Sequence, residues 1–408
     1  MLRNVIIVND TSYVNGGASQ VALTSALALA RHGFDVTMFS ASKPVAPELR
    51  FSPLRVVSTG QHEILTDPNR LRAALQGIWN FKAARLMLGL LRGLDPSQTV
   101  VHVHSWSKAL SSAPVRVALT QGYRVICTMH DYFLACPNGG FFSYPSSLVC
   151  HRTPLSFSCL VENCDVRSYP QKIWRVGRHI AQRYAGLLPD GLRNFIAVSD
   201  FGKRVLQPFL PLRAHIHRID NPVDVLKAPP ADTGNNDAFV FVGTLAEHKG
   251  PLLLAAAALR AGARIVFVGS GPLEERISRF YPSALITGWL PRNETIKAIR
   301  QARALVLPSL SYENQPLVVA EAAAVGVPAI VSDRSAARDM VEDGVTGLWF
   351  KGGDRDDLAE KMRRLQDPRS AAAMGSAAYH RYWSRPSSME NHLKELIGVY
   401  AHVLGAGG

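Results

Sequence analysis

Short apolar runs alternate with stretches of helical periodicity along almost the whole chain. Val5–Val8 is an apolar run, a polar loop follows, and helical periodicity takes over from Gly17 to Arg31, closed by Gly33. A second run lies at Asp35–Phe39, and others at Val100–Val103, Val125–Met129 and Phe195–Val198. Between them, Arg70–Leu91, Lys108–Leu119 and Gln171–Tyr184 read as helices. From Asn221 to Pro230 the text turns proline-rich, then stays polar to Asp237, which marks a link between domains. The alternation restarts with Phe239–Val242, Arg264–Val268, Ala284–Thr287, Ala304–Leu307 and Ala329–Val331 as strands. Asp354–Leu404 is nearly all helical in pattern. Strands alternating with helices imply parallel sheets with right-handed crossovers. The predicted fold is α/β, with two Rossmann-like doubly wound domains facing across a cleft. Residues 1–212 form the first domain and 213–380 the second, with 381–408 a C-terminal helix able to return to the first.

A chain of 408 residues, 47% hydrophobic, can bury two separate cores. Its charge is uneven. Residues 1–212 carry 22 basic and 11 acidic side chains, whereas residues 213–408 carry 23 and 21. A basic half beside a near-neutral one suits an anionic partner, or else a solvated arginine-rich face. Val5–Val8 is too short for a secretory core, and nothing approaches the ~20 apolar residues that span a bilayer. The expected location is therefore cytoplasmic, with room for a peripheral position on a membrane. Five cysteines are too few for a disulfide scaffold at this length.

The richest stretch runs from Pro308 to Ala322. A buried strand, Ala304–Leu307, leads into a polar loop, and Pro316 suits the first helical position, where its missing N–H costs nothing. The N–H groups of Gln315, Leu317 and Val318, with the helix dipole, make an anion site fit for a diphosphate. Glu313 precedes the helix and Glu321 lies inside it. An ionised carboxylate accepts two hydrogen bonds from neighbouring hydroxyls, so one could hold sugar hydroxyls and the other a ribose diol. Two glutamates at this spacing also arise by chance, as a capping charge and a solvated helix face. What distinguishes them is the strand before, the flanking prolines and Gly326-Val327-Pro328 after.

This stretch resembles the E-x7-E signature of glycosyltransferase family 4, whose members share the two-domain GT-B fold, and other segments match in order. Gly243-Thr244 through Lys249-Gly250 resembles the first loop of that family's donor domain, Gly269-Ser270-Gly271-Pro272 its next glycine turn, and Thr287-Gly288-Trp289-Leu290 the segment beside the base. Asn15-Gly16-Gly17-Ala18 resembles the N-terminal glycine loop, His130-Asp131 the histidine after an N-domain strand, and Asn221-Pro222-Val223-Asp224 the hinge. The resemblance implies a retaining, metal-independent transfer from a nucleotide-sugar donor. It implies that Glu321 binds the ribose, Glu313 the transferred sugar, and Lys249 the diphosphate. Gly16, Gly17, Gly243 and Gly269 allow close backbone approach, Asn314, Gln315, Pro316, Leu317 and Val318 line the donor, and His130 meets the sugar near its anomeric carbon. The family commonly carries an arginine five residues before the lysine, where this chain has Thr244. Either another basic residue substitutes or phosphate is held more weakly.

Three features stand outside that pattern. His102 and His104 flank Val103 at a strand end and read as structural or acceptor-side. Cys136, Cys150, Cys159 and Cys164 fall in one loop, but only the last pair approaches zinc-ligand spacing. The cluster is a candidate structural zinc site, with packing the commoner explanation. Tyr132, Phe133, Phe141, Phe142 and Tyr144 in the same loop suit an acceptor cleft. The segments around Trp79 and Trp174 mix arginine and lysine with apolar residues, as amphipathic helices on an anionic bilayer do, and as ordinary core-facing helices do.

The expected function is transfer of a sugar to a glycan or lipid-linked acceptor in surface or extracellular polysaccharide synthesis, without a cofactor or metal. Partners are the nucleotide-sugar donor, that acceptor and an anionic membrane surface. The alternatives are a nucleotide-sugar epimerase or hydrolase on the same scaffold, and a non-catalytic anion-binding protein with a degenerate donor domain. No nucleic-acid motif is present, so nucleic acid is not an expected partner.

Overall fold

The computed structural model describes residues 2–405, which separate into two compact units. The first holds the chain up to Gly140, Arg152–Pro222 and the stretch from Ser388 onward. The second holds Phe141–His151 and Val223–Ser387. The strands in chain order are β1 (Asn4–Val8), β2 (Asp35–Ser42), β3 (Arg55–Gln61), β4 (Thr99–Val103), β5 (Arg124–Met129), β6 (Phe142–Ser143), β7 (Leu148–Val149), β8 (Asn194–Ala197) and β9 (His215–Arg218). They continue as β10 (Ala238–Val242), β11 (Arg264–Val268), β12 (Leu285–Ile286), β13 (Ala304–Leu307), β14 (Ala329–Ser332) and β15 (Gly347–Phe350).

The first unit is built on a parallel sheet ordered β3-β2-β1-β4-β5-β8-β9, and the second on one ordered β12-β11-β10-β13-β14-β15. Both are doubly wound, and in each the order reverses beside its first strand. In such sheets ligands bind beyond the carboxyl ends of the strands at that reversal. The loops after β1 and β4, and those after β10 and β13, therefore define where chemistry belongs.

The central strands were visible in the pattern because both faces are covered and their side chains are uniformly apolar. Val5, Ile7, Val100, Ile126 and Ile196 bury against Ala22, Ala26 and Leu29 of the Gly17–Arg31 helix. The edge strands β3, β9 and β15 escaped. Arg55–Gln61 and His215–Arg218 mix polar with half-exposed positions, as edges do. Because β9 pairs with β8, the first unit extends to Pro222 rather than ending at residue 212. The last helix, Met389–Gly405, also packs in the first unit. Leu396 and Tyr400 join its core, Tyr400 bonds His102 at 2.7 Å, and His392 bonds Ser25 at 3.0 Å.

Two helices differ from their expected bounds. Arg70–Leu91 is not one helix: Arg70–Ile78 and Phe81–Leu91 are separated by an extended Trp79 and Asn80. The fully buried Asn80 side chain caps the second helix at Ala83 N and donates to Gln61 Oε1 and Ala109 O. That local competition for backbone groups breaks the helix. The helix expected from Lys108 starts at Ala113 instead. The N–H groups of Lys108, Ala109 and Leu110 are held by the buried Asp10 carboxylate at 2.8, 2.8 and 2.9 Å, so those residues are the loop after β4, tied to the loop after β1.

Candidate active site

The second unit gathers its charged groups at the reversal point. The loop after β10 ends in Glu247–Lys249, and Gly250 caps the Pro251–Ala261 helix at φ 69°. A Cβ on Gly250 would stand 2.3 Å from the Pro308 carbonyl oxygen, so only glycine lets this loop press against the one after β13. The two loops are joined there. Leu310 N–H and Ser311 N–H both donate to His248 O, at 2.9 and 3.2 Å.

This contact places Lys249 Nζ 2.7 Å from Glu313 Oε1, and Ser309 Oγ donates to the same oxygen at 2.7 Å. Burial pushes the Glu313 carboxyl up. The Lys249 charge and hydrogen bond, the Ser309 bond and His248 outweigh it, so Glu313 titrates below its usual range and is ionised at neutral pH. Asn314 is buried beside it. Pro316 is the N-cap and not the first helical residue; the helix runs Leu317–Ala324. Its N-terminus still points its first N–H groups and dipole out of the loop that carries Glu313.

Glu321 does not lie on a solvated face. It is 8% exposed, with Arg292 Nη1 3.0 Å from Oε1. Burial raises its pKa and the Arg292 guanidinium opposes that rise. Sequence reasoning missed Arg292, although a buried glutamate demands a cation and the basic Arg292–Arg300 helix offered one. The glycine turn after β11 closes the floor. Gly269 has φ 141°, and a Cβ there would meet the Gly243 carbonyl oxygen at 2.0 Å. Thr244 is exposed in this loop, and Lys249 is the cation that pairs with Glu313. The Phe142–Val149 hairpin belongs to this unit too, with Tyr144 edge-on to His248 at 5.7 Å.

In the first unit, His130 lies just past β5. Its Nε2 is 2.9 Å from His104 Nδ1, the two rings stack, and His104 lies tilted against His102 with ring centroids 4.2 Å apart. Burial and the neighbouring His392 drive the His130 pKa down to about 3, so the ring is neutral at physiological pH. With both rings neutral, one nitrogen of the His104–His130 pair donates and the other accepts. His104 is thus the group that orients His130. Gly16 caps the Gly17–Arg31 helix at φ 151° and is exposed, as is Gly17.

Asp131, next to His130, is pushed up to about 6, by burial first, against the Phe133 N–H that its carboxylate accepts at 3.0 Å, and then by Asp10. Its unfolded value is ~3.9. The folded state therefore holds the extra proton between those values, and stability falls as pH rises from about 4 to about 6. Asp131→Asn keeps the acceptor for Phe133 and removes the charge. Its melting temperature should exceed the parent's at pH 7.5, with the gap shrinking toward pH 4. A gap independent of pH would show that Asp131 does not titrate in this way.

The aromatics expected together are divided: Phe133 lies in the first unit under the Arg178 guanidinium at 4.9 Å, while Phe141, Phe142 and Tyr144 belong to the second. The cysteines divide likewise, with Cys150 in the second unit. Among the described residues no group of three or more His, Cys, Asp or Glu is placed to hold a metal, and Lys172 Nζ lies between Cys164 and Cys159. The ammonium beside those two sulfurs opposes a dication there.

Two doubly wound parallel sheets, one with a lysine–glutamate pair ahead of a helix start, are the framework of the GT-B class of glycosyltransferases. The profile of Glycosyltransferase Family 4 matches residues 15–226, and that of Glycosyl transferases group 1 matches residues 225–381. The chain belongs to glycosyltransferase family 4. It is 34% identical to the sulfoquinovosyl transferase SQD2 of Arabidopsis thaliana over 28% of this chain, a stretch spanning only 24% of that relative's length. It is 26% identical to a D-inositol 3-phosphate glycosyltransferase of Acidothermus cellulolyticus over 95% of this chain and 86% of that one. The fold matches that of Anabaena Alr3699/HepE in complex with UDP and glucose, at a TM-score of 0.68 and 14% identity, covering 98% of this chain and 100% of the other.

Proposed function

We propose that the second unit binds a nucleotide-sugar and that the chain transfers the sugar, with retained anomeric configuration and without a metal, to a glycan or lipid-linked acceptor of surface polysaccharide. The Lys249–Glu313 pair at the start of the Leu317–Ala324 helix carries this reading. As the leaving diphosphate gathers negative charge, Lys249 and the helix N–H groups of Leu317 and Val318 stabilise it, as preorganised donors do in a site shielded from water. Glu313 and Asn314 hold hydroxyls of the sugar. Glu321, oriented by Arg292, takes the ribose diol. Gly243 and Gly269 keep side chains off the phosphate path, and Gln315 and Pro316 shape the same loop. Neutral His130, held by His104, serves the transferred sugar, with Gly16 and Gly17 on the acceptor side. The UDP-bound state of the Anabaena neighbour supports a nucleoside diphosphate as the common portion of the donor. The test is transfer in the presence of excess chelator, with the product anomer assigned by NMR. Transfer that stops and returns only with Mg²⁺ or Mn²⁺ would overturn the metal-independent part, and an inverted product the retaining part.

The same reading includes attachment to an anionic membrane through the first unit. No helix among the described residues is long and apolar enough to cross a bilayer. Trp174 is not available for that surface, because its indole donates to Ala74 O at 3.2 Å and packs where a Gly77 Cβ would stand. The elbow at Trp79 is a better fit. A 590 Å³ groove there is lined by Leu71, Leu75, Ile78, Trp79 and Phe81, with Arg72 and Lys82 beside it. Leu71 and Phe81 are each 72% exposed. Each basic residue near an anionic surface contributes about 1 kcal/mol, lost as salt shortens the Debye length. The chain should sediment with anionic vesicles at low salt and not with neutral ones, and Leu71→Ser/Phe81→Ser should abolish this. Equal sedimentation with both vesicles would refute it.

A further inference from the structure

Lys172 is 1% exposed, a rare position for an ammonium. Its Nζ lies 3.1 Å from Cys164 Sγ and 3.6 Å from Cys159 Sγ, and both cysteines are buried. The groups come from separate local elements. Cys159 sits in the Phe157–Val161 helix, Cys164 in the loop after it, and Lys172 in the first turn of the Tyr169–Tyr184 helix. Their spacing is fixed from outside. Asn138 donates to the Cys164 carbonyl at 2.8 Å, and the adjacent Asp165 carboxylate, fully buried, binds Arg175 at 2.7 Å. Burial disfavours the charged amine, yet the sulfurs of Cys164, Cys159 and Cys136 hold the Lys172 pKa above its usual value. None of the five cysteines is in a disulfide.

We propose that Lys172 and Cys164 are an oxidative modification site, at which dioxygen joins the lysine nitrogen to the cysteine sulfur through a single oxygen atom, with Cys159 as an alternative sulfur. The amine and the thiol each lose one hydrogen, and one N–O and one O–S bond form. Nitrogen and sulfur each give up two electrons. Dioxygen takes all four: one atom becomes the bridge, and the other leaves as water with the two hydrogens. A separation of 3.1 Å leaves room for one bridging atom with only a small shift of the flexible lysine stem. The bridge closes the short loop from Cys164 to Lys172 and, through Asn138, stiffens the segment that follows His130. An excess of dithiol reductant returns amine, thiol and water.

The full chain, kept in air-equilibrated buffer or under reductant without oxygen, is digested and its peptides are weighed. Air should yield a Lys172 peptide joined to a Cys164 or Cys159 peptide, heavier than their sum by one oxygen and lighter by two hydrogens. Dithiothreitol should remove it, and the oxidised chain should melt higher than the reduced one. In Lys172→Met the sulfurs should proceed to a disulfide or to sulfinic acid with no joined peptide. The parent measurement decides the matter even if that variant does not fold. A parent whose cysteines oxidise while Lys172 stays unlinked would overturn the proposal. So would stoichiometric zinc released by a thiol reagent.

Discussion

Lys249→Ala should lower kcat/KM for the nucleotide-sugar by about 10²–10³-fold, the usual loss when one preorganised partner of a developing charge is removed. The same substitution leaves Glu313 as a buried carboxylate without its cation. Its side chain is 13% exposed and that of Lys249 28%, so the stability cost should be about 1–3 kcal/mol, below that of a fully buried broken pair. The two effects can be separated. In Lys249→Ala, adding Glu313→Gln removes the stranded charge and should recover most of the stability, while activity stays low. The sign with pH follows from the depressed Glu313 pKa. The pair's contribution is present above the unfolded glutamate value of ~4.3 and is lost as pH falls through the lower folded value. Urea midpoints and steady-state kinetics on the parent, both singles and the double check this. A Lys249→Ala enzyme within tenfold of the parent would mean the diphosphate charge is met elsewhere.

Glu321→Ala should raise the Kd for the nucleoside diphosphate by about 10–100-fold. Hydrogen bonds that a charged carboxylate accepts from hydroxyls contribute about 1.5–3 kcal/mol, and each 1.4 kcal/mol is a factor of ten. Arg292 would then be left 3.0 Å from an oxygen that no longer exists, so Glu321→Gln, which retains one acceptor, should lose less. Glu313→Gln should leave nucleoside diphosphate binding within a few-fold of the parent and act on kcat and on the KM of the sugar-bearing donor. Calorimetric titration with diphosphates of different bases measures this and identifies the base as well. Unchanged affinity in Glu321→Ala would remove the ribose from that site.

What could be read in advance was set by local chemistry. Uniformly apolar runs such as Val5–Val8 and Ala304–Leu307 are strands in any parallel sheet covered on both faces, and Gly17–Arg31 carries its own helical period and closing glycine. The loop from Pro308 to Pro316 stood out by its polar residues and flanking prolines between a buried strand and a helix start. Family membership followed from the order of such loops.

Other features depended on partners far away in the chain. The break at Trp79 is made by Gln61 and Ala109, which draw Asn80 out of the helix, and the late start at Ala113 is made by Asp10, some hundred residues earlier. Edge strands β3 and β9 lack a strong pattern because water covers part of them. Lys172 read as one more charge on an amphipathic helix until the fold enclosed it with two sulfurs, and Arg292 and His104 acquired roles only through Glu321 and His130. Sequence alone determined the central strands and most of the main helices, because those follow from side-chain periodicity and backbone chemistry within a few residues. Only tertiary structure decided which charges are paired and which polar groups are buried, because burial and Coulomb energy depend on distance in space and not along the chain.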